Sequence, residues 1–477
     1  MARGASTRCK YNDGLSGANW RLTFFMVGEK VSMPCRCRSV WVPFQVAACL
    51  LAIAAPAVAQ SGQTNREFVR NLFFLPPVDP QEEDPANAAR IAQSASDSAD
   101  NIAKFVGFGI SSVPLGSSSA GFSYFRDPAT GELSLKSRSF GPVFAERPLT
   151  NGRGVLNVGF SYQHAHTEYN QDFDTADARD TGVPIFDNIV TFRSDGLQQF
   201  ITRRAFLESD VDTYSIFASV GLTDRIDVGV TIPISSVAMT GHLDERYDLT
   251  RTYNASTPLG AATRAVRPAP VGNLLTATQT ESATGIGDVV LRGKFALGSQ
   301  RGGEGAAVAV DLSLPTGDED EFLGRGHVTG RFQLLASKAL GPRASAFGNA
   351  GYRFGEESQE ANYIAGMDMA LLPRDRLTFA FSFLGRSLRD AASLEREQTV
   401  QRVTAGLGNT VTELSDVAVY RFFWNDDTVT LNQLSADFKL HLGGQWLATA
   451  AVLFPLNNLD LQPKPIPFFG IEWAGGR

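Results

Sequence analysis

The chain has 477 residues, 10% of them aromatic and 19% charged, with 33 Phe, 45 Gly and only four Cys. Its formal charge of −7 deepens when residues 1–59 are set aside, because that stretch carries a net +5 and leaves −12 for the remainder. So acidic a balance excludes nucleic acid as an expected partner. Cys9, Cys35, Cys37 and Cys49 all precede residue 60, so the remainder has no disulfide framework, thiolate metal centre or cysteine nucleophile.

Residues 43–59, PFQVAACLLAIAAPAVA, form an apolar run too short to span a bilayer as a helix. Arg36 and Arg38 precede it, and Ala57-Val58-Ala59 before Gln60 reads as an A-x-A cleavage site. A secretory signal peptide with cleavage after Ala59 is therefore expected. Its charged start lies near Met33, so residues 1–32 read as an over-extended start, with Met33 or Met26 as the true first residue. Val46-Ala47-Ala48-Cys49 resembles a lipobox, but the apolar run continues past Cys49.

Residues 60–85 are polar and broken by Pro76, Pro77, Pro80 and Pro85, which predicts an extended or mobile tail. The Ala-rich stretch 86–105 predicts a short helix. Gly121–Arg126 and Glu132–Ser139 flank Asp127-Pro128-Ala129-Thr130-Gly131 and predict a hairpin. This N-terminal extension, 60–150, is either a periplasmic element or a plug folded into the lumen of the C-terminal domain.

From residue 151 the pattern changes to alternation of period two. Twelve strands are predicted at 154–165, 211–222, 226–238, 286–297, 306–314, 327–338, 344–354, 361–371, 376–386, 429–441, 445–454 and 466–473. Ile226, Val228, Val230, Ile232 and Ile234 share one face, with Asp227, Gly229, Thr231 and Ser235 on the other. Leu434, Ala436, Phe438, Leu440 and Leu442 likewise oppose Ser435, Asp437, Lys439 and His441, and Leu377, Phe379, Phe381 and Phe383 oppose Thr378, Ala380 and Ser382. The gaps alternate in length. Thr223–Arg225, Gly298–Gly305, Ala339–Arg343, Leu372–Asp375 and Leu442–Gly444 are tight, whereas His166–Asp210, Met239–Gly285 and Ser387–Thr428 are long. Short periplasmic turns and long outer loops belong to a transmembrane barrel with both ends in the periplasm. A soluble two-sheet sandwich has no reason to sort its loops by parity. The fold class is thus all-β: a transmembrane antiparallel β-barrel of about twelve strands, spanning 151–477. Tyr162, Tyr214, Tyr352, Phe354, Phe454, Phe468, Phe469 and Trp473 lie near strand ends, where interfacial girdles sit, although strands favour aromatics in any case.

Three segments carry a resemblance. The first is Pro114–Phe122 with Ser139–Arg147; the second is Gly285-Ile286-Gly287-Asp288-Val289-Val290-Leu291-Arg292-Gly293-Lys294; the third is Leu314-Pro315-Thr316-Gly317-Asp318 leading to Leu323-Gly324-Arg325-Gly326. The last two resemble the outer-membrane barrel family named for the meta-pathway (MetA-pathway) of phenol degradation, over roughly 110–473. The resemblance implies a barrel that passes small, often hydrophobic or aromatic, compounds. Locally, the glycines of the second segment allow a tight strand entry with Asp288 at the lumen or rim, while Pro315 stops pairing and Gly317 permits a turn. One departure is that Phe469, Ile471 and Trp473 are followed by Ala-Gly-Gly-Arg, which displaces the terminal aromatic used in assembly.

The residues that could carry chemistry are weighed on the same pattern. Asp227, Asp288, Arg292, Lys294, Asp311, Arg331, Asp368, Asp437 and Lys439 fall on the polar parity of their strands, and His441 lies beside Asp437 and Lys439. In a barrel they are pore-lining candidates that would orient a passing solute; equally, they would form salt bridges that fill a closed interior. Asp318-Glu319-Asp320-Glu321 is an acidic outer-loop run without the EF-hand pattern, read as a solvated loop rather than a calcium site. His164 and His166 share a face, but no third ligand can be named. No Gly-x-Ser-x-Gly elbow supports a hydrolase, so no enzyme activity, cofactor or metal is expected. The expected setting is the outer membrane of a diderm bacterium, with lipid, lipopolysaccharide, the barrel-assembly machinery and a small-molecule solute as partners. Uptake of the solute by diffusion through the barrel is the leading function. A structural or surface-interaction barrel with a sealed lumen is the alternative.

Overall fold

The computed structural model describes residues 20–26, 29–35, 62–73, 85–111, 113–116, 121–126, 133–169, 186–192, 198–250, 275–298, 300, 303–355, 359–372, 376–405, 411–457 and 463–476. The chain divides into two compact units, Met1–Val58 and Ala59–Arg477. In the first, Trp20–Met26 and Glu29–Cys35 pair as an antiparallel ribbon, which the residue pattern did not lead us to expect. The apolar run 43–59 of the expected signal peptide lies outside the described residues, as does the hairpin turn 127–131.

The second unit is a closed antiparallel barrel of twelve strands. They are β1 (Val155–Glu168), β2 (Gln198–Gly221), β3 (Ile226–Thr250), β4 (Val289–Ala296), β5 (Gly305–Leu314), β6 (Thr329–Ala339), β7 (Ala344–Phe354), β8 (Glu360–Leu371), β9 (Leu377–Ala405), β10 (Val411–Gly443), β11 (Trp446–Pro455) and β12 (Ile466–Gly476). Each pairs with its sequence neighbours, and β12 closes on β1 through the register Gly470↔Ser161. All twelve overlap a predicted strand. The alternation is also as read: Phe438 and Leu440 are exposed on the outer wall while Asp437 and Lys439 are buried, and Ile226 and Val228 oppose a buried Asp227.

Strand length departs from expectation. β2, β3, β9 and β10 run to 24, 25, 29 and 33 residues, well beyond the 9–11 or so that cross a bilayer. Parts of the expected long loops are therefore continued ladders, and Phe186–Phe192 and Leu275–Ile286 add flanking strands to β2 and β3. Hydrogen bonding between neighbours continues past the lipid because edge groups in water still gain from pairing. The opposite rim is tight, as expected. Gly444, at φ 61°, makes the turn between β10 and β11 in a conformation that costs glycine little.

The N-terminal extension is more ordered than its composition implies. Asn65–Phe73 forms helix α1 in place of the expected tail, and Pro85–Ser111 forms helix α2, longer than predicted. Thr64 and Glu67 build a capping box: the Glu67 amide donates to Thr64 Oγ1 at 3.2 Å and the Thr64 amide donates to Glu67 Oε2 at 3.1 Å. Pro85 suits a first helical position, where its missing N–H is no loss. So short a helix as α1 is not stable alone. Burial of Phe68, Val69, Leu72 and Phe73 holds it. Tyr124–Arg126 and Leu133–Leu135 pair as the expected hairpin.

Candidate functional site

The barrel interior divides into two zones. Toward the short turns the inward side chains are mostly polar, beside a small apolar patch of Phe122, Phe140, Leu447 and Ala474. Toward the long loops the same parity turns apolar, with Val237, Met239, Leu384, Leu388 and Leu431 buried in one cluster with Phe68, Leu72, Phe105 and Val106 of the two helices. A Cβ placed on Gly241 of β3 would stand 2.8 Å from Leu72 Cδ2 and 3.0 Å from Phe68 Cζ, so the wall needs a glycine where α1 rests on it.

In the polar zone, residues 121–151 bond to inward side chains on many strands. Val143 donates its amide to Asp437 at 2.8 Å, Phe140 to Thr378 at 2.9 Å, Asn151 to Asp227 at 2.9 Å, and Gly121 to both oxygens of Glu472 at 3.2 and 3.1 Å. In return, Lys439 Nζ donates to the Phe140 carbonyl and Lys294 Nζ to the Arg147 carbonyl, each at 3.3 Å. One short segment meets β3, β4, β9, β10 and β12 in this way, which requires it to lie inside the ring. Where it enters the wall, a Cβ on Gly221 would stand 2.0 Å from the Gly152 carbonyl oxygen, so backbone meets backbone there.

Of the predicted lining residues, Asp227, Lys294, Asp437 and Lys439 thus face inward and hold the extension. Arg292 pairs with Glu146 of the extension and with Asp311, which also takes Arg331 at 2.5 Å. Asp368 is buried and accepts the Ser345 hydroxyl at 2.5 Å. His441 packs edge-on against Phe122 and Phe140, at 5.4 and 5.7 Å between ring centres.

Asp288 sits at the rim and ties two of the resemblance segments together. Its carboxylate accepts the Gly317 amide at 3.1 Å and the Arg325 amide at 2.9 Å, while Thr316 Oγ1 donates to the Gly287 carbonyl at 2.7 Å. A Cβ on Gly324 would stand 2.4 Å from Asp288 Oδ1, so close approach explains that glycine. The knot directs Arg325 over the Phe108 ring, 5.6 Å from its centre.

The acidic run is not merely a solvated loop. Arg66 of α1 pairs with Glu319 and Asp320, and Asn65 donates its amide to Glu321 at 3.1 Å. Carboxylates here meet the positive end of a helix, an arrangement that helix-dipole electrostatics favours. His164 and His166 pair with Asp212 and Asp210 of β2, Nδ1 to carboxylate at 3.0 and 2.8 Å. No cluster of three metal-ligating side chains occurs among the described residues.

Sequence reasoning missed several contributors. Lys136 is buried and donates to Thr150 O at 3.1 Å, Thr150 Oγ1 at 2.7 Å and Gln300 Oε1 at 2.6 Å. Burial lowers its pKa from 10.5 to about 8. Glu360 of β8 takes Arg386 at 2.8 Å and Arg353 at 3.4 Å. Parity would have found Arg353 and Arg386, since both lie in phase with polar neighbours. Nothing in the sequence points to Lys136.

Above the polar zone lies a cavity of about 210 Å³, bounded by Ile110, Ser111, residues 113–116 and Phe144 of the extension, by residues 322–325 and by inward side chains of β1 to β9. Residues 209–382 match the model of the family described as "Putative MetA-pathway of phenol degradation". The match bears out the resemblance carried by the two rim segments. Both fall within it, although it is narrower than the 110–473 read from the sequence. Among solved structures, an outer-membrane channel from Pseudomonas putida F1 is 13% identical, with 68% of this chain and 96% of that one covered at a TM-score of 0.34. A FadL homologue from Pseudomonas aeruginosa is 9% identical, covering 69% and 90% at 0.29. The CymD monoaromatic hydrocarbon channel is 10% identical, covering 68% and 89% at 0.23. Scores of this size add nothing to the strand pairing itself. No curated protein matches the sequence.

Proposed function

We propose that the chain is an outer-membrane channel that takes up small, hydrophobic or aromatic, molecules through the barrel interior, with residues 60–150 as an internal plug. In this reading the chain is exported by a signal peptide, begins at Gln60 and works with both ends in the periplasm. The observation that carries it is the two-zone interior: an apolar collar toward the long loops, a cavity beneath it, and a polar ring toward the short turns. A solute would leave lipopolysaccharide for the collar, rest in the cavity, and cross the polar ring when the plug gives way. Asp227, Arg292, Lys294, Asp311, Arg331, Asp437 and Lys439 would line that last passage, and Asp368, Asp288 and His441 would border it. The plug is held by hydrogen bonds and ion pairs, each worth about 0.5–3 kcal/mol net, so local release costs far less than unfolding the wall.

Single-channel recording in planar bilayers tests this, using the chain from Gln60 with and without residues 60–150. The expected result is small or intermittent conductance in the intact chain and steady conductance in the truncated one. Silence in both, with heat-modifiable gel migration showing a folded barrel, would favour a sealed surface-interaction barrel. The density of buried bonds between plug and wall is the observation on that side.

A further inference from the structure

The cavity wall has a chemistry that uptake alone does not explain. Five arginines, Arg292, Arg325, Arg331, Arg353 and Arg386, border it against four carboxylates, Glu146, Asp288, Asp311 and Glu360, which leaves one positive charge in excess. Arg331 and Arg353 are direct cross-strand partners on β6 and β7. Each holds a carboxylate that it must share, Arg331 with Arg292 on Asp311 and Arg353 with Arg386 on Glu360, so two carboxylates serve four guanidinium groups and a further anion would ease the like-charge contact. Beside this pair, Asn349 and Gln333 border the same cavity at 5% and 3% exposure. Neither Asn349 Oδ1 and Nδ2 nor Gln333 Oε1 has a hydrogen-bond partner. Buried amides without partners cost on the order of 1–3 kcal/mol each. The facing side is apolar, with Val113, Phe144, Phe322 and Leu323.

We infer that this cavity is a binding site for a small aromatic carboxylate that also carries a hydroxyl group. The inference deepens the uptake reading and rests on it for the route by which the ligand arrives. The carboxylate accepts from the Arg331 and Arg353 guanidinium groups and from Asn349 Nδ2, where planar forks fit carboxylate geometry. The ring hydroxyl donates to Gln333 Oε1, an acceptor that otherwise lacks a donor. The ring lies against Phe144 and Phe322. At about 210 Å³ the space is smaller than the roughly 300–1,000 Å³ of drug-sized sites, so it takes one ring rather than a long acyl chain.

The test is equilibrium binding to the folded full chain in detergent, with 4-hydroxybenzoate against its neutral counterpart 4-hydroxybenzyl alcohol. The acid is expected to bind at least about tenfold more tightly, the factor of one charge-assisted hydrogen bond. Arg353→Met and Asn349→Leu should each weaken the acid by about tenfold or more, and Arg353→Met should leave the alcohol unchanged. Asn349→Leu is close in volume and removes both unpartnered atoms, so it serves where loss of the Glu360 partner disturbs folding. Equal binding of acid and alcohol, or an Asn349→Leu barrel that holds the acid as tightly as the parent, overturns the inference. Conductance of the truncated chain separates the two readings. Conductance without acid binding removes the site and keeps the channel; acid binding without conductance keeps the site and removes the channel.

Discussion

At the scale of the residue, the interior works by pairing wall side chains with plug backbone. Asp437 is buried and takes the Val143 amide at 2.8 Å. Asp437→Leu should cost about 1–3 kcal/mol of plug anchoring, because it strands that amide away from water. Faster proteolysis of residues 121–151 in the folded barrel would report the loss, and Asp437→Asn, which keeps an acceptor, should restore much of the protection. Unchanged cleavage kinetics in Asp437→Leu would count against the anchoring role. Lys136 makes stability depend on pH. Burial holds its folded pKa at about 8, below the ordinary 10.5. Between those values the unfolded chain binds the extra proton, so stability rises with pH across that window and falls again as pH drops toward 8. The effect is at most about 3 kcal/mol. Urea midpoints measured from pH 7.5 to 10.5 should climb in the parent more than in Lys136→Met, and parallel profiles would remove Lys136 as the cause.

At the scale of the element, each strand has one face for lipid and one for the plug. Phe438 of β10 stands outward at 46% exposure, across from Phe379 of β9 at 5.2 Å between ring centres. Phe438→Arg should destabilise the folded barrel by about 2–4 kcal/mol, the cost of a cation near the bilayer midplane. Unfolding in lipid vesicles measures it, and a loss below about 1 kcal/mol would place this position near an interface instead. Helix α1 depends on the wall rather than on its own propensity. Phe68→Ala empties a fully buried site, with an expected cost of about 3–5 kcal/mol. Hydrogen exchange should show the amides of 65–73 losing protection while β10 and β11 keep theirs; retained protection would mean that the capping box holds the helix unaided.

At the scale of the whole molecule, wall and plug are separable in principle. The ring closes through β12 on β1, and among the described residues none of its strand ladders involves residues before Val155. A chain lacking residues 60–150 should therefore still give heat-modifiable migration and a strand-rich circular dichroism spectrum. Failure to fold in lipid or detergent would make the plug part of the folding core. The helices carry the opposite expectation, because the main cluster joins their apolar faces to wall residues such as Leu207, Met239 and Leu431.

Alternation of period two and the parity of loop lengths were legible in the residues, because lipid on one side and polar groups on the other impose a two-residue rule on every strand. That rule placed Asp227, Lys294, Asp311, Asp437 and Lys439 on the inner face without any coordinates. It could not say what they touch. Their partners, Asn151, Arg147, Arg331, Val143 and Phe140, come from other strands or from an extension far away in sequence, and only closure of the ring brings them within bonding distance. The order of residues 65–73 was hidden for the same reason. A nine-residue helix gains its stability from burial, and burial is a property of the assembled barrel rather than of the segment. The sequence by itself determined the wall, since each strand answers to its immediate surroundings. Tertiary structure alone decided that the interior is filled, split into apolar and polar zones, and left with a cavity ringed by arginine.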